Sequence, residues 1–237
     1  ASWWDYGYWI TTLSERTTIV DNATLIDWQI KKMAFALMST PENSRDMLSA
    51  HYSEDISEYL GDEMIILLDG KLPEDFDTQH FEKHGESCKQ IFKKEAQELG
   101  ITEQSCNPIA KGMDADYVLI YLVGERFYAG NTNAPLYTLE GGGDESKKTW
   151  FAKISNHQVS KLIEDDNITP TPYYMENTTL GMLTPFSIFK YVEIGTGRTF
   201  DEYQTGFIPV YVNDLKFNDS ENDPFYLVYA SPSFYSQ

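Results

Sequence analysis

Cysteine and histidine are scarce in this 237-residue chain, which holds two of the first and four of the second. Two cysteines, Cys88 and Cys106, are too few for a disulfide framework. They leave two alternatives open, one bridge in an oxidising compartment or two reduced thiols. His80, His84 and Cys88 recur at helical spacing, as metal ligands on one helix face would. Because no fourth ligand is evident, a surface helix is the better interpretation, and no metal site is predicted.

Basic residues and long apolar runs are also lacking. The chain has 18 Lys and Arg against 37 Asp and Glu, a formal net charge of −19. Phosphate binding needs a basic surface, so this balance argues against a nucleic-acid partner. The longest apolar runs, residues 64–68 and 118–123, fall short of the ~20 residues that cross a bilayer. No signal peptide is recognisable at the start, and the chain is expected to be soluble as it stands.

The elements that are present indicate a mixed fold. Apolar periodicity and capping residues predict helices at residues 24–38, 41–50, 77–99, 144–154 and 158–164. β-branched and aromatic runs predict strands at residues 64–68, 116–123, 207–212 and 225–229. Residues 8–20 are interpreted as a turn with short extended segments. The expected fold class is α+β (mixed α/β), a helix-rich core with a short central sheet followed by a β-rich C-terminal part.

Two adjacent tryptophans, Trp3 and Trp4, stand near the start of the chain and are followed by Asp5. An indole N–H only donates a hydrogen bond, and an ionised carboxylate only accepts one. Two indoles and one carboxylate could therefore match every hydrogen-bonding valence of a single hydroxyl group. A site of this kind rejects a ligand that lacks the hydroxyl, because its own polar groups would stay unpaired.

A second set of residues, Asp144, Lys147, Phe151 and Ile154, shares one face of the helix predicted after a triple glycine. The spacing alone favours an ordinary amphipathic helix that is capped by Asp144 and covered by the stem of Lys147. The alternative is a contact surface that combines an acid, a base and apolar groups. Both motifs are expected to be carried by the short central sheet and its helices.

The residues Trp3-Trp4-Asp5-Tyr6-Gly7 resemble the pentapeptide of the catalytic subunits of oligosaccharyltransferases, named STT3 in eukaryotes, AglB in archaea and PglB in bacteria. Residues 16–22, 36–40 and 116–120 resemble further blocks of the archaeal and eukaryotic branch. Asp144-x-x-Lys147 with Ile154 resembles the second motif of that branch, in which Phe151 replaces a Met. Residues 44–110 find no counterpart and are interpreted as an insertion. The acidity and the match to that branch favour an archaeal single-subunit enzyme of AglB type.

The resemblance implies a soluble C-terminal domain that follows a membrane domain and lies on the extracytoplasmic face of the cell membrane. It is expected to divide into a central unit at residues 1–165, which carries both motifs, and a β-leaning part at residues 166–237. The family transfers an oligosaccharide from a lipid carrier of dolichyl phosphate or diphosphate type to Asn in Asn-x-Ser/Thr. Mn²⁺ or Mg²⁺ and the catalytic residues are expected in the membrane domain. No catalytic residue is therefore assigned here, and this part alone is expected to be inactive.

The resemblance also assigns roles to residues of the first motif. Binding of the acceptor Ser/Thr hydroxyl is assigned to Trp3, Trp4 and Asp5. Tyr6 and Gly7 support the motif.

In the second motif, Asp144 is a supporting residue and Lys147 acts electrostatically on the pentapeptide or the bound peptide. Phe151 or Ile154 is expected to contact the β-methyl group of an acceptor threonine. Tyr8 is expected near the lipid-linked sugar. The implied partners are thus an acceptor polypeptide, a lipid-linked oligosaccharide and the chain's own membrane domain.

A protein of another class, an acidic extracellular carbohydrate-binding or surface-layer module, would also fit the charge and the 16 tyrosines. Such a module would bind glycan without depending on the tryptophan pair. The chain itself contains four Asn-x-Ser/Thr sequences, which are acceptor motifs for N-glycosylation, at Asn22, Asn167, Asn177 and Asn218.

Overall fold

The computed structural model describes residues 1–15, 17–18, 20, 27–52, 54, 56, 111–127, 135–139 and 142–231. The chain forms two compact units, one comprising Ala1–Leu119 with Phe151–His157 and the other Ile120–Trp150 with Gln158–Gln237. The elements predicted at residues 64–68 and 77–99, both cysteines, His80 and His84 lie outside the described residues. None of the helices in the described ranges has the length and hydropathy needed to cross a membrane.

The first unit begins with a 3-10 turn, Trp4–Tyr6, which continues directly into helix α1, Gly7–Ser14. The prediction of a turn with extended segments from residue 8 is therefore wrong. The β-branched residues Ile10, Thr11 and Thr12 favour an extended chain locally. The preceding turn overrides that preference because Tyr6 already has right-handed helical dihedral angles, so the costly helix nucleus is in place.

Two further helices supply the core of the first unit. Helix α2 spans Asp27–Met38, and helix α3 spans Pro41–Ser49, close to the predicted bounds. The Thr40 hydroxyl caps α3 by accepting a hydrogen bond from the N–H of Asn43 at 3.5 Å, and Pro41 occupies the first turn. The core is formed by fully or almost fully buried apolar side chains of both helices: Met33, Ala34, Phe35, Ala36, Leu37, Met38, Met47 and Leu48.

Residues 111–119 connect this helical core to the start of the chain. The N–H of Met113 donates to the Met47 carbonyl at 3.1 Å, which fixes the segment against α3. Further along, the N–H of Leu119 donates to the Ala1 carbonyl at 2.8 Å, and Ser2 forms a parallel bridge with Leu119. The residue just before the tryptophan pair is thereby held by backbone hydrogen bonds.

The second unit contains an antiparallel sheet. Within the described residues its five strands are β1 (Glu125–Phe127), β2 (Leu136–Thr138), β3 (Phe186–Glu193), β4 (Thr199–Phe200) and β5 (Phe207–Asn213). Their order is β1-β2-β5-β3-β4. Leu136, Val192 and Val210 form a buried cluster on this sheet. The mixed fold class is confirmed, and the strand predicted at residues 207–212 is confirmed as β5.

The second unit also carries short helices. Helix α4, Lys148–Ile154, begins in this unit and ends in the first, and it follows a 3-10 turn at Glu145–Lys147. The other three are α5 (Val159–Leu162), α6 (Pro172–Asn177) and α7 (Thr179–Leu183). Both motifs therefore lie on 3-10 turns that lead into helices, not on strands of the sheet. The predicted division at residue 165 stays a prediction.

Two predicted strands are not strands in the described structure. Residues 116–123 form only single bridges, from Leu119 to Ser2 and from Leu122 to Gly143. Residues 225–229 are unpaired, and Tyr226 and Tyr229 are 57% and 76% exposed. Both segments have strand-like composition, but a ladder requires a neighbouring strand in register, which composition does not encode.

Candidate functional site

Trp3 and Phe151 bring the two sequence motifs into direct contact. Trp3 is 1% exposed and Phe151 is fully buried. Their ring centroids lie 4.4 Å apart with the planes tilted by 51°. Aromatic pairs at this distance and tilt contribute about 0.5–1.5 kcal/mol beyond the burial of their surface. The contact ties the tryptophan turn to the last four residues of α4, within the first unit.

The turn that carries the motif is tight. The N–H of Tyr6 donates to the Trp3 carbonyl at 3.2 Å, and the chain then enters α1 through the buried Gly7. Asp5 and Tyr6 are half-buried. The backbone of Trp4 opens the 3-10 turn, while its side chain lies outside the described part. The turn thus holds Asp5 partly accessible beside the buried Trp3.

Tyr8 follows on α1 and is 57% exposed. Its ring packs edge-on against Trp9, with the centroids 5.8 Å apart. Its predicted position near a lipid-linked sugar stays a prediction.

Asp144 is a buried anchor of the second motif. It is 1% exposed, and its Oδ2 accepts a hydrogen bond from the N–H of Tyr121 at 2.9 Å. The N–H of Asp144 in turn donates to the Tyr121 carbonyl at 2.7 Å. Gly143 makes this approach possible, because it has a φ of +76° and an added Cβ would lie 2.4 Å from the same carbonyl oxygen. Asp144 therefore fixes the turn that leads into α4.

Lys147 and Ile154 are both half-buried. Lys147 belongs to the second unit, whereas Trp3, Phe151 and Ile154 belong to the first. The contact between Trp3 and Phe151 is an observed link between residues of the two motifs, and it lies within the first unit. The roles predicted for Lys147 and Ile154 in peptide binding stay predictions.

An ion pair that the sequence analysis missed lies beside Asp144. Lys148 Nζ is 2.7 Å from Glu145 Oε1, and both side chains are about 95% buried or more, with exposures of 3% and 5%. Burial raises the pKa of Glu145, and the neighbouring Lys148 opposes this rise. The three-residue spacing on a helical turn was a visible signal for the pair. Its burial was not, because charged residues are mostly exposed.

The same turn faces a buried tyrosine of α6. Tyr174 is fully buried, and its pKa is raised well above the usual value by burial and by the nearby Glu145 and Asp144. Burial first, and then the nearby carboxylates, therefore keep the phenol protonated.

His157, a residue not singled out from the sequence, closes the end of α4 in the first unit. Its Nδ1 lies 2.8 Å from the Ser155 hydroxyl, and its ring packs on Phe35 with the centroids 5.2 Å apart. The Ser155 hydroxyl also lies 2.6 Å from the Phe151 carbonyl, to which it donates. Burial lowers the pKa of His157 to about 4, so the ring is neutral at physiological pH. This network braces the helix end that holds Phe151.

No group of three or more His, Cys, Asp or Glu side chains in the described part is arranged to hold a metal ion. The contacts described in that part are hydrogen bonds, ion pairs and apolar packing. The model of the STT3/PglB/AglB core domain matches residues 1–98, which include the tryptophan turn. That match runs through most of the segment interpreted as an insertion and stops before Asp144.

Several curated proteins of the same family are similar over short stretches. The dolichyl-diphosphooligosaccharide–protein glycosyltransferase subunit STT3 of Saccharomyces cerevisiae is 43% identical over 51 residues, 22% of this chain and 7% of that protein. Subunit STT3B of Arabidopsis thaliana is 43% identical over 47 residues, covering 20% and 6%. Subunit STT3A of Oryza sativa subsp. japonica is 50% identical over 44 residues, covering 19% and 6%.

The aligned part thus spans less than a tenth of the length of these relatives. No solved structure matches the chain. The chain is thus similar to the STT3/PglB/AglB core domain over residues 1–98 and to STT3 subunits over short stretches.

Proposed function

We propose that this chain is the C-terminal soluble domain of an oligosaccharyltransferase catalytic subunit of the archaeal AglB type. In this role it binds the acceptor sequence Asn-x-Ser/Thr while the membrane domain of the same protein transfers a lipid-linked oligosaccharide to the Asn. The observation that carries the proposal is the packing of Trp3 on Phe151, which joins the two motifs at one place in the first unit. The family match over residues 1–98 supports it independently.

The burial of Trp3 and Asp5 supports different roles for these two residues of the tryptophan motif. Trp3 is almost fully buried, so its contact with Phe151 serves to position the turn. Asp5 is half-buried and can present a carboxylate that accepts a hydrogen bond from the acceptor hydroxyl. Trp4, the neighbouring indole of the turn, is the donor to the oxygen of that hydroxyl. The binding energy of this contact, distant from the reacting amide, orients the acceptor Asn.

A divalent ion, Mn²⁺ or Mg²⁺, is part of the proposed whole enzyme. The described residues do not fit such an ion, because they contain no cluster of acidic or histidine ligands. The family resemblance, not the described residues, is the basis for placing the ion in the membrane domain, and no step on this chain is derived through it. The chain's own contribution is recognition of the acceptor on the extracytoplasmic face of the membrane.

Replacing the Asp5 carboxylate in the full-length protein tests the proposal. D5N should lower kcat/KM for transfer to a fluorescent Asn-x-Thr peptide by about 10-fold or more, because a neutral amide oxygen is a weaker hydrogen-bond acceptor for the hydroxyl than a carboxylate. E202Q, which removes an exposed acidic side chain elsewhere, is the matched control and should transfer at the wild-type rate. Normal transfer by a D5N variant that unfolds at the wild-type temperature would contradict the proposal. Glycan binding that is independent of Asp5, with no transfer, would instead indicate the carbohydrate-binding module.

A further inference from the structure

The chain's own Asn-x-Ser/Thr sequences differ in how the fold presents them. An enzyme that glycosylates such a sequence must reach both the Asn carboxamide and the hydroxyl two residues later. Three of the four sequences, those at Asn167, Asn177 and Asn218, lie within the described residues. The exposure and hydrogen bonding of these two groups decide which of the three sequences the folded protein presents to an enzyme.

The sequence at Asn167 is closed by its own loop. Thr169 is 3% exposed, and its hydroxyl donates to Asp166 Oδ2 at 2.6 Å. The N–H of Thr169 donates to the other oxygen of the same carboxylate at 2.8 Å. The Asn167 carboxamide donates to the Asp165 carbonyl at 3.4 Å. The hydroxyl that the enzyme must bind is therefore buried and already paired.

The sequence at Asn177 is closed by two helices. Asn177 is the last residue of α6, and its carboxamide donates to the Tyr173 carbonyl at 3.1 Å. Thr179 is the first residue of α7 and is fully buried. Presenting this sequence to an enzyme would require unfolding both helices.

The sequence at Asn218 is open at both positions. Asn218 and Ser220 are exposed, and within the described part neither the Asn218 carboxamide nor the Ser220 hydroxyl forms a hydrogen bond. The loop is instead held through its backbone, because Asp223 accepts the N–H groups of Asn218 and Asp219 at 2.8 Å each.

The base of this loop is closed by an aromatic contact. Phe217 is buried, and its ring centroid lies 5.7 Å from that of Phe225. The carboxylate of Asp219, the middle residue of the sequence, accepts hydrogen bonds from the N–H groups of Glu221 and Asn222 at 2.9 and 3.3 Å. The loop is thus ordered at its base. The Asn218 carboxamide and the Ser220 hydroxyl, which the enzyme must bind, form no hydrogen bond within the described part.

We propose that Asn218 is an N-glycosylation site of the folded protein, with a lipid-linked oligosaccharide as the sugar donor. The proposal rests on the proposed function only for the side of the membrane on which the chain lies. In the reaction, a bond forms between Asn218 Nδ2 and the anomeric carbon of the first sugar. The bond from that carbon to the phosphate oxygen breaks, the lipid phosphate leaves with the electron pair, and Nδ2 loses one proton to a base of the transferring enzyme.

Glycopeptide mass spectrometry of the full-length protein, purified from its own host, tests the proposal. The peptide that contains Asn218 should carry the mass of the host glycan, and the peptides with Asn167 and Asn177 should be unmodified. N218Q and S220A should lose the added mass, whereas S220T, which keeps the hydroxyl, should retain it. N167Q and N177Q are the matched controls and should leave the modification of Asn218 unchanged.

An unmodified Asn218 peptide, in a host whose other extracytoplasmic proteins carry the glycan, would overturn the proposal. So would equal occupancy of Asn167 and Asn177, because accessibility would then not select the site. Assaying the same preparation for transfer to a free acceptor peptide separates the two proposals. An active enzyme with unmodified Asn218 contradicts only this inference, and an inactive one with glycan on Asn218 contradicts only the proposed function.

Discussion

Phe151 is the residue on which the geometry of the tryptophan motif depends. Its ring is fully buried against Trp3. Its carbonyl accepts a hydrogen bond from the Ser155 hydroxyl, which also lies within hydrogen-bonding distance of His157 Nδ1. A change at any of these positions is expected to act on Asp5 through the packing of Trp3. They are therefore positioning residues, and their effects on stability are measurable on this chain without any transfer assay.

Truncating Phe151 tests that dependence. F151A should lower the free energy of unfolding by about 3–5 kcal/mol, because it removes a buried ring and leaves a cavity beside Trp3. F151M, which restores the residue of the family pattern, should cost less than about 1.5 kcal/mol because methionine fills irregular space. Urea unfolding followed by tryptophan fluorescence measures both. W150A, which removes a half-exposed ring one residue earlier on α4, is the control. An equal loss of unfolding free energy in W150A would contradict the assignment of Phe151 as a positioning residue.

His157 should make stability depend on pH. Its pKa is lowered from 6.5 to about 4 by burial, so as pH falls the unfolded chain takes up the proton before the folded chain does. The folded state is thus destabilised as pH falls from about 6.5 toward 4, by about 3 kcal/mol at most. The difference in unfolding free energy between the wild type and H157Q should shrink over that range. H51Q, which removes a largely exposed imidazole, is the control, and a difference that stays constant with pH would refute the expectation.

At the scale of the elements, the sequence predicted the helices whose bounds depend on interactions between residues close together in the chain. The bounds of α2 and α3 follow from apolar periodicity and from Pro41 in a first turn, and the two motifs were found by resemblance. The pairing of β2 with β5 joins Tyr137 to Tyr211 across 74 positions of the chain, and no local pattern encodes such a contact. For the same reason, the burial of Glu145 with Lys148 and of Trp3 on Phe151 could be recognised only in the structure.

The turn between Asp144 and α4 should respond strongly to loss of its buried ion pair. K148M leaves Glu145 buried beside an apolar side chain, which should cost about 3–5 kcal/mol of unfolding free energy. The double variant E145Q/K148M should recover much of that loss, since no unpaired charge remains. R198M, which breaks the exposed pair of Arg198 and Glu193, is the matched control and should cost less than about 1 kcal/mol. Equal losses in the buried and exposed pairs by urea unfolding would show that burial does not govern this contact.

At the scale of the whole molecule, the family match and the charge describe different properties. The match over residues 1–98 concerns the part that contains the tryptophan turn, and it shows similarity to the STT3/PglB/AglB core domain there. The net charge of −19 concerns the surface and carries no information about the fold. Its physical consequence is self-repulsion of the compact state, which salt should relieve.

Raising the ionic strength should therefore stabilise the chain. The screening length falls from about 30 Å in 0.01 M salt to about 8 Å in 0.15 M salt, so repulsion among surface carboxylates weakens more in the compact folded state than in the expanded unfolded one. The midpoint of urea unfolding should rise with NaCl over this range. A variant with E202Q and E221Q, two exposed acidic residues, should be more stable than the wild type at low salt and should respond less to added salt. A midpoint that stays constant or falls in the wild type would show that local ion pairs outweigh the net charge.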